Sequence, residues 1–244
     1  MESIRYFTIL GERCSGTHFV QHALLTNFHI QYIKGEKHFF GNREFRNTLD
    51  VSTEQLSLHE KHMFEIDKIP ADELLTICLV REPVEWIDSF FKRKHHVPPE
   101  NKEPIEQFLS CVFYSVYEEP PKKHAEIMED RNWKTKERYT NIFELRRTKC
   151  EYLLDHIPKI SKHYLFLRYE DLRDNYENTL ENIQNQFQLW KKNDTYTQIH
   201  KYKGTFNALY EKKPILLEEQ IREYIWENVD REQEATMGYK RSDR

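Results

Sequence analysis

Ile9-Leu10-Gly11-Glu12-Arg13-Cys14-Ser15-Gly16-Thr17-His18-Phe19 decides the fold. An apolar, β-type run from Tyr6 to Leu10 ends in a glycine-bounded loop, and a helical pattern begins at once at Thr17. The backbone N–H groups of a helix N-terminus then face the loop, an arrangement suited to phosphate. Gly11 and Gly16 have the G-x-x-x-x-G spacing of a nucleotide P-loop, but Thr17 and His18 stand where its Lys-Ser/Thr pair belongs. That lysine serves the β- and γ-phosphates of ATP or GTP, so its absence argues against ordinary NTPase chemistry. A phosphate cradle for a different nucleotide remains.

A second junction of the same kind lies further on. Leu74 to Val80 reads as a buried strand that delivers Arg81 at its carboxyl end, where open α/β sheets bind ligands. Pro83 suits the first turn of the helix that follows, and Ser89 lies on that helix.

The wider pattern is strand 5–10, helix 17–28, strand 30–34, a polar segment over 42–68, strand 74–80 and helix 83–95. Helices over 103–118 and 137–156 follow, then strand 163–169, helix 175–189 and helix 214–230. Strands alternating with helices predict an α/β fold with a central parallel sheet flanked by helices. At 244 residues the expectation is one domain, 1–244, with a helical and loop insert around 94–160 over the active site.

Composition narrows the partners. Lys and Arg total 37 against 41 Asp and Glu, a formal charge of −4, so there is no polybasic footprint for nucleic acid. Cys14, Cys78, Cys111 and Cys150 form no C-x-x-C pair and read as reduced thiols. The 12 histidines show no metal-ligand spacing, so no metal is expected. The first strand begins within a few residues, leaving no room for a signal peptide. No apolar run approaches the ~20 residues that span a bilayer. The expectation is a cytoplasmic protein.

Ser15-Gly16-Thr17 after the first strand, with Arg81-x-Pro83-x-x-x-x-x-Ser89 after a later one, resembles the sulfotransferase family. The stretch Leu167-Arg168-Tyr169-Glu170-Asp171-Leu172 and the C-terminal pattern from Leu217 to Gly238-Tyr239 resemble it too. The resemblance implies a P-loop-NTPase-like sulfotransferase fold and 3′-phosphoadenosine 5′-phosphosulfate (PAPS) as sulfuryl donor, with no metal. It assigns the 5′-phosphosulfate to the loop Arg13, Cys14, Ser15, Gly16, Thr17 and His18. It assigns the 3′-phosphate to Arg81 and Ser89, helped by the basic segment of Lys203 and Gly204, and the adenine to Phe19 and Tyr169. The family usually has lysine directly before Ser-Gly-Thr. Here Cys14 occupies that place and Arg13 stands one residue earlier. Arg13 is therefore either the displaced cation that neutralises the leaving oxygen or a solvent-facing loop charge. Cys14 reads as a packing residue rather than a nucleophile.

A base must take the acceptor's proton. Lys34-Gly35-Glu36-Lys37-His38-Phe39-Phe40 resembles the Glu-x-His-Phe-Phe segment of heparan-type sulfotransferases, whose glutamate is the proposed base. If the segment is extended, Glu36 and His38 share one side. Histidine suits base work near neutral pH, which places His38 slightly ahead of Glu36, with His62 third. The acceptor, a glycan or a small molecule, stays open, as aromatic and basic residues over Lys92 to His96 either line a sugar groove or solvate a helix end. Two other readings compete: a catalytically silent nucleotide- or glycan-binding module, and a P-loop kinase.

Overall fold

Leu74–Val80 is apolar at every position but Thr76, and such a strand is stable only when both of its faces are covered. In the computed structural model, which describes residues 4–35, 37–41, 68–199 and 214–241, it lies at the centre of a parallel sheet. The strands are β1 (Tyr6–Gly11), β2 (Gln31–Tyr32), β3 (Leu74–Val80) and β4 (His163–Arg168), in the order β2-β1-β3-β4. β1 runs in register with β3 from Tyr6↔Leu74 to Gly11↔Leu79, and β3 with β4 from Leu75↔His163 to Val80↔Arg168.

The side-chain period of two divides the core between the faces. Phe7 and Ile9 of β1 and Leu75, Ile77 and Leu79 of β3 pack with Phe19, Val20, Ala23 and Leu24 of α1 (Thr17–Asn27). Leu180 and Ile183 of α7 (Tyr176–Phe187) complete that layer. Leu10, Cys78 and Val80 face the other way, against Trp86, Ile87 and Phe90 of α2 (Pro83–Arg93) and Ile225 and Trp226 of α8 (Glu219–Asn228). Each fully buried aliphatic side chain in these layers contributes about 1.5–3 kcal/mol. The chain is thus α/β, with a four-stranded parallel sheet between helical layers.

Local chemistry sets the element ends. α2 starts with Pro83 at its first position, and the Glu82 carboxylate accepts the Glu85 N–H at 2.6 Å. The helix expected from 137 begins at Ile142 because Asn141 Oδ1 accepts from Phe143 and Glu144 N–H, at 3.0 and 2.9 Å. It runs as α4 (Ile142–Glu151), a π turn (Tyr152–His156) and α5 (Ile157–Ile160).

Two expectations fail. The helix placed over 103–118 is only α3 (Ile105–Ser110). Beyond it Phe113 and Val116 form antiparallel bridges with Tyr139 and Glu126. Val112 to Tyr117 is rich in β-branched and aromatic residues, and tertiary pairing overrides an apolar spacing that looked helical. The strand placed over 30–34 shrinks to Gln31–Tyr32, since the chain turns away through Gly35 and through Lys37, which has a left-handed φ of 48°.

α6 (Tyr169–Asp174) follows β4 directly, and α9 (Arg231–Thr236) closes the described chain. The chain leaves β1 toward β2 on one side and β3 toward β4 on the other. The crevice outside the carboxyl ends of β1 and β3 is therefore the topological switch point, where open α/β sheets bind ligands. Among the described residues no helix is long and apolar enough to cross a membrane.

Candidate functional site

The loop between β1 and α1 combines two left-handed residues, Cys14 (φ 64°) and Gly16 (φ 99°). Gly16 caps α1, and a Cβ there would stand 2.3 Å from the Tyr169 ring, so only glycine lets that aromatic lie against the loop. Thr17 opens α1 and His18 is its second residue, which places both at the N-terminal end where main-chain N–H groups lack helical acceptors.

The Arg81 segment holds this loop directly. Arg81 Nη1 donates to the Cys14 carbonyl at 3.2 Å, and Trp86 Nε1 donates to the Arg13 carbonyl at 2.8 Å. Arg146, paired with Glu234, donates to the Arg81 carbonyl at 2.9 Å and so fixes that main chain in turn. The Arg81 guanidinium lies 4.5 Å from the centroid of Tyr169 and 3.2 Å from the Glu85 carboxylate, which also takes Arg173 at 2.7 Å. Ser89 is half-buried, one helical turn beyond Glu85. Glu170 closes the ring: it accepts from Glu82 N–H at 3.0 Å and from the Tyr239 hydroxyl at 2.8 Å. Five separated stretches of sequence, the loop, 81–89, Arg146, 169–173 and 234–239, thus meet at the carboxyl edge of the sheet.

Phe19 and Tyr169 meet edge to face, with centroids 5.8 Å apart, and both are buried. Phe19 also lines a cavity of about 420 Å³ with Arg173, Asn175, Tyr176 and Asn178. Ser15 is 1% exposed and is among the residues lining a small cavity of about 20 Å³. Its orientation is inward.

Arg13 overturns the picture of a solvent-facing loop charge. It is 2% exposed, with Nε 2.7 Å from Glu12, Nη1 2.5 Å from Ser115 Oγ and Nη2 3.0 Å from Asp130. Its guanidinium lies 4.8 Å from the Phe90 centroid and 5.4 Å from that of Phe113. Lys149 completes the cluster, 2.9 Å from Glu12, also bonded to Asp130, and donating to the His38 carbonyl at 2.5 Å. Two buried carboxylates and two buried cations balance, and removing one partner of such a set costs about 3–5 kcal/mol. Burial pushes the Glu12 carboxyl up, but Lys149 and Arg13 outweigh it and hold it at about 2. Burial likewise lifts the Cys14 thiol to about 11, which keeps it protonated near neutral pH and away from nucleophilic chemistry.

His38 sits beside this cluster. Its Nδ1 is 2.6 Å from the Gly11 carbonyl, and because a carbonyl only accepts, Nδ1 carries the hydrogen and Nε2 the lone pair. Burial, and then the Lys37 charge, lower its pKa well below 6.5, so the ring is neutral near pH 7. A neutral imidazole with an unprotonated Nε2 can accept a proton. The segment over 37–39 is a turn rather than an extended strand, so the alternation that put two base candidates on one side does not apply. Glu36, His62, Lys203 and Gly204 lie outside the described residues.

Sequence reading missed Lys37, Ser115, Asp130, Lys149 and Arg173. Nothing in their spacing marks them, because each reaches the site through a contact distant in the chain. Compared with family models, with curated proteins and with solved structures, the chain matches none.

Proposed function

We propose that this chain is a sulfotransferase of the P-loop-like α/β type, moving the sulfuryl group of PAPS to an acceptor hydroxyl or amine. One observation carries the reading: Arg81, at the end of β3, donates to the loop carbonyl of Cys14 and stacks on Tyr169. A loop suited to one phosphate and an arginine suited to another therefore share one crevice at the switch point. In this reading the 5′-phosphosulfate lies against the loop Ser15-Gly16-Thr17 and the start of α1, and Arg81 with Ser89 takes the 3′-phosphate. The cavity beside Phe19 takes the base. His38 Nε2 takes the acceptor's proton. In this reading Arg13, engaged with Glu12, Ser115 and Asp130, holds the loop.

Calorimetry with 3′-phosphoadenosine 5′-phosphate, 5′-AMP and ATP tests the proposal. The first should bind at least about tenfold more tightly than 5′-AMP, the worth of one charged hydrogen bond. Preference for ATP over 3′-phosphoadenosine 5′-phosphate would instead favour a kinase. The engagement of Arg13 favours a second reading, a nucleotide-binding module without turnover. Donor binding without transfer across a panel of glycans and phenols would establish that one.

A further inference from the structure

α1 runs 11 residues away from the loop, about 16 Å, and the turn after α7 packs at its far end. There His29 N–H donates to the Trp190 carbonyl and Lys192 N–H to the Asn27 carbonyl, both at 2.9 Å. Gln188 ends α7 in a left-handed conformation, φ 52°, and Leu189 beside it is buried. The main chain around Trp190 is therefore held on both sides, yet its indole is 75% exposed. The ring lines an open hollow of about 480 Å³ with Gln184, Asn185, Gln188, Leu189 and Lys191. The amides there present both hydrogen-bonding functions. Gln184 Oε1 accepts the Tyr196 hydroxyl at 2.6 Å, which leaves its amide NH₂ as a donor. Gln188 Nε2 donates to the Asn185 carbonyl at 2.6 Å, which leaves its Oε1 as an acceptor. Asn185 is exposed, and its side chain has no partner among the described residues. The Lys191 ammonium is turned to the Asp194 carbonyl, at 2.6 Å, and to the Tyr196 ring, at 4.3 Å. Among the described residues no carboxylate lines the hollow.

We infer that this hollow is a binding site for a neutral carbohydrate. A pyranose has an apolar C–H face and a rim of hydroxyls that both donate and accept. The fixed indole offers a flat apolar surface for the first, and the amides of Gln184, Asn185 and Gln188 serve the second. A protein partner would call for a contiguous apolar patch around the tryptophan, but its neighbours in the hollow are amides and Leu189 is buried. An anionic ligand would call for a cation facing outward, whereas Lys191 is turned to Asp194 and Tyr196. The inference does not depend on the sulfotransferase reading, because the hollow lies at the end of α1 away from the loop.

Fluorescence reads this site, because Trp190 is exposed while Trp86 and Trp226 are buried and Trp133 is half-buried. Cellohexaose, maltohexaose and chitohexaose serve as probes, and at least one should shield the wild-type protein from acrylamide quenching. For that probe, calorimetry should show binding weakened roughly tenfold in Trp190→Ala and less in Trp190→Phe. Asn185→Ala and Gln188→Gly, the latter suited to the left-handed backbone, should each weaken it about twofold to tenfold. The urea midpoint should stay near that of wild type, since all three side chains are exposed. Should Trp190→Ala lose stability, the Asn185 and Gln188 variants carry the test. No binding of any of the probes, or binding undiminished in these variants, would overturn the inference. So would self-association of the wild type that Trp190→Ala abolishes, which would make the indole a contact between copies of this chain.

Discussion

The loop after β1 is gripped from two sides by regions of opposite character. On one side Arg81 and Trp86 donate to the carbonyls of Cys14 and Arg13, and these residues sit in a stretch whose motif is visible in the sequence. On the other side Ser115, Asp130 and Lys149 enclose the Arg13 side chain, and no motif announces them. The first grip leaves the Arg81 guanidinium 4.5 Å from the Tyr169 ring centroid and paired with Glu85. The second consumes its charges internally, each cation facing a carboxylate. Basic residues around one loop thus differ in setting: Arg13 and Lys149 lie in a buried cluster with two carboxylates, whereas Arg81, paired with Glu85, also lies against the Tyr169 ring.

Breaking the internal side should have the largest effect. Asp130→Ala should destabilise the fold by about 3–5 kcal/mol in urea unfolding, since it leaves Arg13 and Lys149 buried with one carboxylate fewer. Arg13→Ala should behave like Asp130→Ala and lose stability first. A stable Arg13→Ala protein with normal nucleotide binding and a collapsed kcat would return Arg13 to the reacting atoms and erase the contrast.

Next comes the base. Once a panel has supplied an acceptor, His38→Ala should lower kcat about a hundredfold to ten-thousandfold with nucleotide binding intact. The acid limb of the wild-type kcat profile should lie below 6.5, because burial and Lys37 depress the His38 pKa. A limb above 6.5, or a mild His38→Ala variant beside a severe His62→Ala one, would assign the proton to another group.

A smaller effect tests the ligand-facing side. Arg81→Ala should weaken 3′-phosphoadenosine 5′-phosphate by about 1.5–3 kcal/mol and leave 5′-AMP nearly unchanged. Equal losses would make Arg81 a strut like Arg146, and the two regions would then differ only in position.

The smallest effect is on pH dependence. The folded Glu12 carboxyl sits at about 2 against an ordinary 4.5, so its folded pKa is depressed. The stability it contributes is present above about 4.5 and is lost as pH falls toward 2. The difference in urea midpoint between wild type and Glu12→Gln should shrink across that window. A constant difference would mean that the carboxylate pairing has been misjudged.

Legibility in the sequence followed the range of the interactions. The strand–loop–helix at 6–27, the buried strand at 74–80 and the Pro83 helix start could be read because composition, period and capping are local. The same local rules misread 111–117, where pairing with Tyr139 and Glu126 outweighed an apparently helical spacing. They also left open a solvent-facing Arg13, whereas its side chain is buried.

The sequence by itself determined the parallel α/β architecture and the segments that meet at its switch point, because hydrophobic period and glycine placement act over a few residues. Tertiary structure alone decided that Arg13 is an internal counter-charge, that the His38 ring is neutral with Nε2 unprotonated, and that Lys37 reaches the start of α1. Charge and protonation depend on which groups lie within a few ångströms and on how much water remains. Folding brings those groups together from 19 to 117 residues apart.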